Sequence, residues 1–481
     1  SILATFPRFR DLEEKHGSLV RGMWAAPRPK PLPGAKPPAA FYSLRGGLRE
    51  MVDALVVRLE HERIWTKAAV HAVSRTTEGF SLGVQGGETV SAEQVIVAAP
   101  GPRVAPALEG LVPSMSFSEW LPRIATITRA MNADDFAASA AAGSMACLKT
   151  GVTVVGDIAY GPEAISTAGD AGLAGTFFWE VLGILESDLP HALARMEFPG
   201  GGSACAAGRL CYGISPHAPY TSGPGLLRAT HSLARRHQLG YMVHVAESPE
   251  EQQLLIRGEG PLRETASRLA RGFEPPRCGS VEYLHRLGVL SGAIAVHCVH
   301  LETGEVELLA KHARGVVLCP RSNRYLHNGA PPVSQLHSHG VDIAVGTDSA
   351  ASNEGFDLFA EARALAALDP ELTPKRLLGI MSLEGARVLG VHERLGSLDP
   401  GKQADLAVIA SGGADDPTTQ IVATGSPDRV RAVMSAGVWR VLDGELVAPV
   451  RPIEKAAEEV RARAARVLAR SARPASGPPG G

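Results

Sequence analysis

From about Ser116 to Gly390 the chain alternates short apolar runs with segments of helical periodicity, and this rhythm limits it to few folds. The runs that read as strands are Val152–Gly156, Gly175–Val181, Leu210–Ile214, Tyr241–Ala246, Ala293–His297, Gly315–Leu318 and Val341–Gly346. Between them lie amphipathic stretches such as Leu226–Gln238 and Thr303–Lys311. Strands separated by helices do not pair as hairpins, so the pattern predicts a parallel sheet with helical crossovers. Polar, reactive residues fall just beyond several runs, as at the C-terminal mouth of a (β/α)8 barrel. The expected class is α/β, a TIM-type barrel with seven countable strands instead of eight.

The flanks read differently. The Pro-rich run Pro27–Pro38 predicts extended chain, Leu48–Leu59 a helix, and Val70–Val73 and Phe80–Val84 short strands. Val95–Ala99 has the apolar content of a buried strand, stopped by Pro100-Gly101. After the barrel, Gly396–Ile409 begins a small β segment that runs to about Val447. A charged helix (Ile453–Ala469) and a Ser/Pro/Gly tail with the composition of disorder follow. The expected divisions are therefore 1–112, 116–390, 391–450 and 451–481.

Composition excludes several roles. A net charge of −2 over 481 residues provides no attraction for nucleic acid or an anionic membrane surface. No apolar run approaches the roughly 18 residues that span a bilayer, and no signal peptide is visible. The six cysteines lack CxxC spacing and sit mostly among apolar residues, which predicts reduced, buried thiols in a cytoplasmic protein.

The chemistry concentrates at the predicted strand ends. His244 closes one run, with Glu247 three residues on; His297 closes the next; Asp348 follows the last. Imidazoles and carboxylates around one mouth are the donors of a hydrolytic metal centre, and a nearby carboxyl can move protons. His217, in the proline-stiffened Ser215-Pro-His217-Ala-Pro-Tyr220, and the polar turn Cys319-Pro-Arg-Ser322-Asn323 also follow strands. His300 reads as structural, pointing away from the mouth.

Six motifs in order carry a resemblance: Ser215–Thr221, His244–Glu247, His297–Leu301, Pro320–Asn323, Gly346–Asn353 and Gly396–Leu406. Through them residues 116–447 resemble the amidohydrolase superfamily, in its chlorohydrolase and deaminase branch. The Ser215–Tyr220 stretch is similar to aminodeoxyfutalosine deaminases, and the branch also includes S-adenosylhomocysteine deaminases. The resemblance implies a zinc-dependent hydrolase of C–N bonds, one zinc per chain, acting on a small purine-like nucleoside or related heterocycle. It further implies His244 and Asp348 as metal ligands and Asp348 as acceptor of the proton from the attacking water. Glu247 would protonate the ring nitrogen, His297 would orient the water, and His217, Ser322 and Asn323 would contact substrate. Dimers are common among such enzymes, so a homodimer is one expected assembly.

One departure is serious. The first barrel strand of that family ends in His-x-His, which contributes two ligands. The chain's sole His-x-His is His337-Ser-His339, in a predicted helix far from the mouth. Impaired metal binding and activity are therefore expected. In the gap stands a segment, 1–112, that resembles protoporphyrinogen oxidases through Phe6–Phe9, His16–Gly22, Tyr42–Leu48 and Val95–Pro100. Its dinucleotide fingerprint is absent, so bound FAD is not expected. The junction near 112–116 reads as two interrupted genes joined in frame, with Val95–Ala99 placed to act as the missing barrel strand. Alternatives to the hydrolase reading are a flavoprotein oxidase fragment and a non-catalytic chimera.

Overall fold

A computed structural model describes residues 70–76, 79–84, 89–92, 114–159, 161–185, 187, 189–190, 209–269, 274–411 and 416–447. The chain divides into two units, 1–94 and 95–481. Within the first, β1 (Val70–Thr76), β2 (Gly79–Val84) and β3 (Thr89–Ala92) form an antiparallel meander in chain order. The third of these strands was not anticipated. The predicted helix at 48–59, the strand at 95–99, the lower edge of the 112–116 junction and the C-terminal helix all lie outside the described residues.

The second unit contains all seven predicted barrel strands: β4 (Val154–Ala159), β5 (Ala174–Val181), β6 (Leu210–Pro216), β7 (Gly240–Val245), β8 (Ile294–His297), β9 (Gly315–Leu318) and β10 (Ile343–Val345). They pair in parallel and in strict chain order. This is the arrangement of a TIM-type barrel with a strand missing, and among the described residues β10 and β4 are unpaired edges. Strand limits follow partner length rather than hydropathy. The final strand is only three residues long because it pairs with just Val316–Leu318.

The described residues immediately ahead of β4 are helical. Phe117–Ala130 and Ala133–Lys149 are both α-helical, and the second begins in a capping box between Asn132 and Asp135. At the floor, the fully buried Phe178 ring occupies space vacated by two glycines. A Cβ on Gly213 would stand 2.3 Å from the ring and one on Gly240 2.7 Å from it. Met242, Ile294, Val296, Cys319 and Ala344 complete this interior cluster with Val388, and Leu389 packs against it. Leu389 also packs with Val154 beside Ala174 and Ala386, so the segment after β10 contributes apolar bulk to β4 at the open edge.

A four-stranded antiparallel sheet follows: β11 (Leu406–Ile409), β12 (Val430–Ser435), β13 (Val438–Leu442) and β14 (Glu445–Leu446). Its last hairpin turns at Asp443-Gly444, both with positive φ, as an Asp-Gly two-residue loop requires. The sheet is fastened to the barrel by Arg209, whose guanidinium meets Asp405 at 2.9 and 2.8 Å and donates to Ser435 Oγ at 2.7 Å. One expectation about cysteine needs correction. Cys147, Cys278, Cys298 and Cys319 are free, but Cys211 is disulfide-bonded, to a partner outside the described residues. A search for CxxC spacing misses bridges closed over longer loops, because the bond requires only that two Cα atoms come within about 4.4–6.8 Å. No helix among the described residues is long and apolar enough to cross a membrane.

Replacing Arg209 with Ala leaves the nearly buried Asp405 carboxylate without its bidentate partner. We expect a loss of about 3 kcal/mol in unfolding free energy, measured by urea denaturation, with an unchanged m-value if the fold is retained.

Candidate active site

Three imidazoles lie side by side across the C-terminal ends of adjacent strands, His244 stacked on His297 and tilted against His217. His217 follows β6, His244 lies near the end of β7, and His297 ends β8. His244 stands between the other two, 5.2 Å from each by ring centroid. Its Nδ1 is buried and has no hydrogen-bond partner. Glu180, buried near the end of β5, extends the row on the other side. One ligand atom each from Glu180, His217 and His244 lie within 4.8 Å of one another, and so do those of His244, Glu247 and His297. Both sets have the donor chemistry of a divalent metal, whose oxygen and nitrogen ligands stand about 2.0–2.2 Å from the ion.

Each neighbour of His244 is oriented by a fixed bond. His217 Nδ1 lies 2.7 Å from Thr221 Oγ1, which leaves its Nε2 as the other available nitrogen. His297 Nδ1 lies 2.9 Å from the Asn323 amide oxygen. That oxygen can only accept, so Nδ1 carries the proton and Nε2 faces Glu247 Oε1 at 3.7 Å. Asn328 donates to the same Glu247 oxygen at 3.3 Å.

The turn that presents Glu247 is held by a second carboxylate. Glu251, fully buried, accepts from the Ala246 and Glu247 amides at 2.9 Å each and from Ser280 Oγ at 2.6 Å. Ala246 has φ 52°, and its carbonyl accepts from both the Val299 and His300 amides. His297 and Cys298 are also left-handed, at φ 75° and 48°, as is Asp348 at 58°. Such backbone costs of order 1–3 kcal/mol per residue and clusters where side chains must be aimed. Asp348 Oδ2 accepts from Ser322 Oγ and Ser352 Oγ, both at 2.7 Å. Among the described residues it joins neither of the compact ligand groups.

Desolvation dominates the electrostatics. Burial lowers His217 to about 4, with a further contribution from His297. Burial also depresses His244 well below the ordinary imidazole range, and the two flanking rings add to the effect. His297 is lowered by burial against the opposing pull of Asp348. Burial lifts Glu247 well above the usual carboxyl range, the nearby charges of Asp348 and Glu251 adding to it.

The Phe117–Ala130 helix reaches several of these loops. Phe117 packs edge-on against Tyr220 at 6.5 Å, and Tyr220 against His217 at 5.9 Å. The Trp120 indole donates to Ala351 O at 2.9 Å, beside the Asp348 turn, and Ser118 donates to Glu250 at 3.2 Å. The Tyr220 hydroxyl is buried without a hydrogen-bond partner.

The structure therefore brings His217, His244, Glu247 and His297 together, with Asn323 touching His297 and Ser322 touching Asp348. His300 meets Asn328 O at 2.5 Å, the residue whose side chain reaches Glu247, and His337 meets Asp369 at 2.9 Å. Sequence reasoning missed Glu180, Tyr220 and Glu251. A lone charge at the end of the apolar run Thr176–Val181 signalled the first, and the four-residue spacing Glu247–Glu251 the last.

Residues 107–440 match the amidohydrolase family model. The chain belongs to the amidohydrolase family. A model of flavin containing amine oxidoreductases matches residues 1–140, less than a third of the chain. Within the amidohydrolases, the chain is 30% identical over 320 residues to a 5-methylthioadenosine/S-adenosylhomocysteine deaminase of Symbiobacterium thermophilum, covering 63% of this chain and 69% of that relative. It is 28% identical to a 5'-deoxyadenosine deaminase of Methanopyrus kandleri, covering 70% and 78%. Among solved structures, an adenosine deaminase from Xanthomonas campestris with bound zinc superposes with a TM-score of 0.62 at 24% identity, covering 76% of this chain and 83% of that one. The aminofutalosine deaminase of Helicobacter pylori superposes at 0.57 with 21% identity, covering 67% and 80%. These two likenesses show the amidohydrolase barrel itself.

Glu251→Ala strips three buried donors of their acceptor. We expect about 3 kcal/mol or more of lost stability in urea denaturation, with Glu251→Gln intermediate because it retains one acceptor oxygen.

Proposed function

We propose that this chain is a metal-dependent hydrolase of C–N bonds, a deaminase of a 6-aminopurine nucleoside or a close heterocyclic relative. The observation that carries this reading is the row of imidazoles at the barrel mouth, with the unpartnered Nδ1 of His244 at its centre and Glu247 beside His297. The adenosine-type deaminases among its relatives support the substrate class.

The residues fit a divalent metal ion, and zinc, one per chain, is the ion we favour; when bound it would supply Lewis-acid activation of water. His244 would hold it. Asp348, anchored by two serine hydroxyls, would take a proton from the attacking water. His297, fixed in its tautomer by Asn323, would orient that water through Nε2. Glu247, kept in place by Asn328 and by the turn that Glu251 clamps, would deliver a proton to the ring nitrogen, so that the amino group leaves as ammonia. The Tyr220 hydroxyl and Ser322 would border the substrate. The family's His-x-His pair is absent from its expected place, so we expect a loosely held metal and slow turnover. The segment resembling protoporphyrinogen oxidases would contribute no flavin chemistry.

Ammonia release from 5'-methylthioadenosine by the full chain tests the reading. We expect slow, metal-stimulated release that chelation abolishes and that Glu247→Gln lowers by about 100-fold or more. No release at any metal concentration, or release unaffected by Glu247→Gln, would refute it.

A further inference from the structure

Resting on the metal-dependent reading above, we propose that Glu180, His217 and His244 together bind a divalent transition metal, with Glu180 and His217 replacing the absent His-x-His pair. His217 then acts as a ligand, in place of the substrate contact that its motif implies.

Geometry is the first ground. Donors about 2.1 Å from a shared tetrahedral ion stand about 3.4 Å apart, and one atom from each of these residues already lies within 4.8 Å of the others. Topology is the second. The three come from the ends of β5, β6 and β7 or just past them: β5 and β6 pair as far as Glu180–Ser215 and Val181–Pro216, and the His244 amide donates to the His217 carbonyl at 3.0 Å, so the backbone sets their spacing. By contrast, the chain's expected first-strand ligands have no counterpart there, and Asp348 is turned to Ser322 and Ser352.

Ligand orientation is the third ground. His217 Nδ1 lies against Thr221 Oγ1, whose own proton can go to the Ala218 carbonyl; with Nδ1 as the donor, Nε2 is left to coordinate. His244 Nδ1 is buried with no other partner. Two imidazoles and a carboxylate leave a coordination position open for water, the composition of a hydrolytic zinc centre. The other compact group, His244 with Glu247 and His297, shares His244, and in the reading above its Glu247 and His297 serve the proton and the water instead.

The test is metal binding by the full chain, stripped with chelator and titrated with Co(II), following visible absorption and bound metal by elemental analysis. Thermal melts verify folding. Glu180→Gln and His217→Asn are each expected to weaken Co(II) binding more than about 10-fold and to alter its absorption bands, since even outer-sphere partners of a ligand shift affinity 10–100-fold. Glu247→Gln and Asp348→Asn are expected to stay within about 3-fold of the parent. Unchanged binding in both Glu180→Gln and His217→Asn overturns this assignment while leaving the metal-dependent reading intact. So does loss of the ion in Glu247→Gln or Asp348→Asn alone. A parent chain that binds no Co(II) overturns both. If Glu180→Gln fails to fold, His217→Asn, at a less buried position, decides the matter alone.

Discussion

Parallel pairing in chain order does most to determine what this molecule can do. Because β4 to β10 run the same way, the last residues of successive strands converge on one side of the sheet. A histidine at the end of β7 therefore meets one after β6 and another at the end of β8, although 27 and 53 residues separate them along the chain. The same pairing sets the height of Glu180 beside His217. No local interaction among these residues would hold two imidazoles and a carboxylate in contact without it.

Around that convergence the protein has spent conformational strain and buried charge in one place. Ala246, His297, Cys298 and Asp348 adopt left-handed backbone at or just beyond the ends of their strands, and Glu251 takes up the amides that the first of these turns would otherwise leave unpaired. Such features are retained where surrounding bonds over-determine them. Their concentration at the mouth, along with desolvated imidazoles, separates this region from the rest of the barrel. Among the described residues β4 and β10 are left as sheet edges. A sheet edge carries unpaired backbone groups, and here the apolar segment through Val388 and Leu389 contributes side chains beside β4.

Much of this was legible in the residues alone. The seven strands followed from apolar runs bounded by Gly, Pro and polar residues, and their ends pointed to His217, His244, Glu247 and His297, which the fold brings together. Glu180 was not legible as a site residue because β5 is buried along its whole length. A strand covered on both faces loses the alternation that tells which side chains point inward.

The sequence by itself determined the class of fold, the order of the strands and the residue types available at their ends, since periodicity and strand punctuation act over a few residues. It also determined the absence of His-x-His where the family has it. Only the tertiary structure decided which of the available donors share a space: Glu180 with His217 and His244, Asp348 with two serines, Glu251 with the backbone. That choice depends on register and on the tilt of paired strands, quantities fixed by packing between segments far apart in the chain.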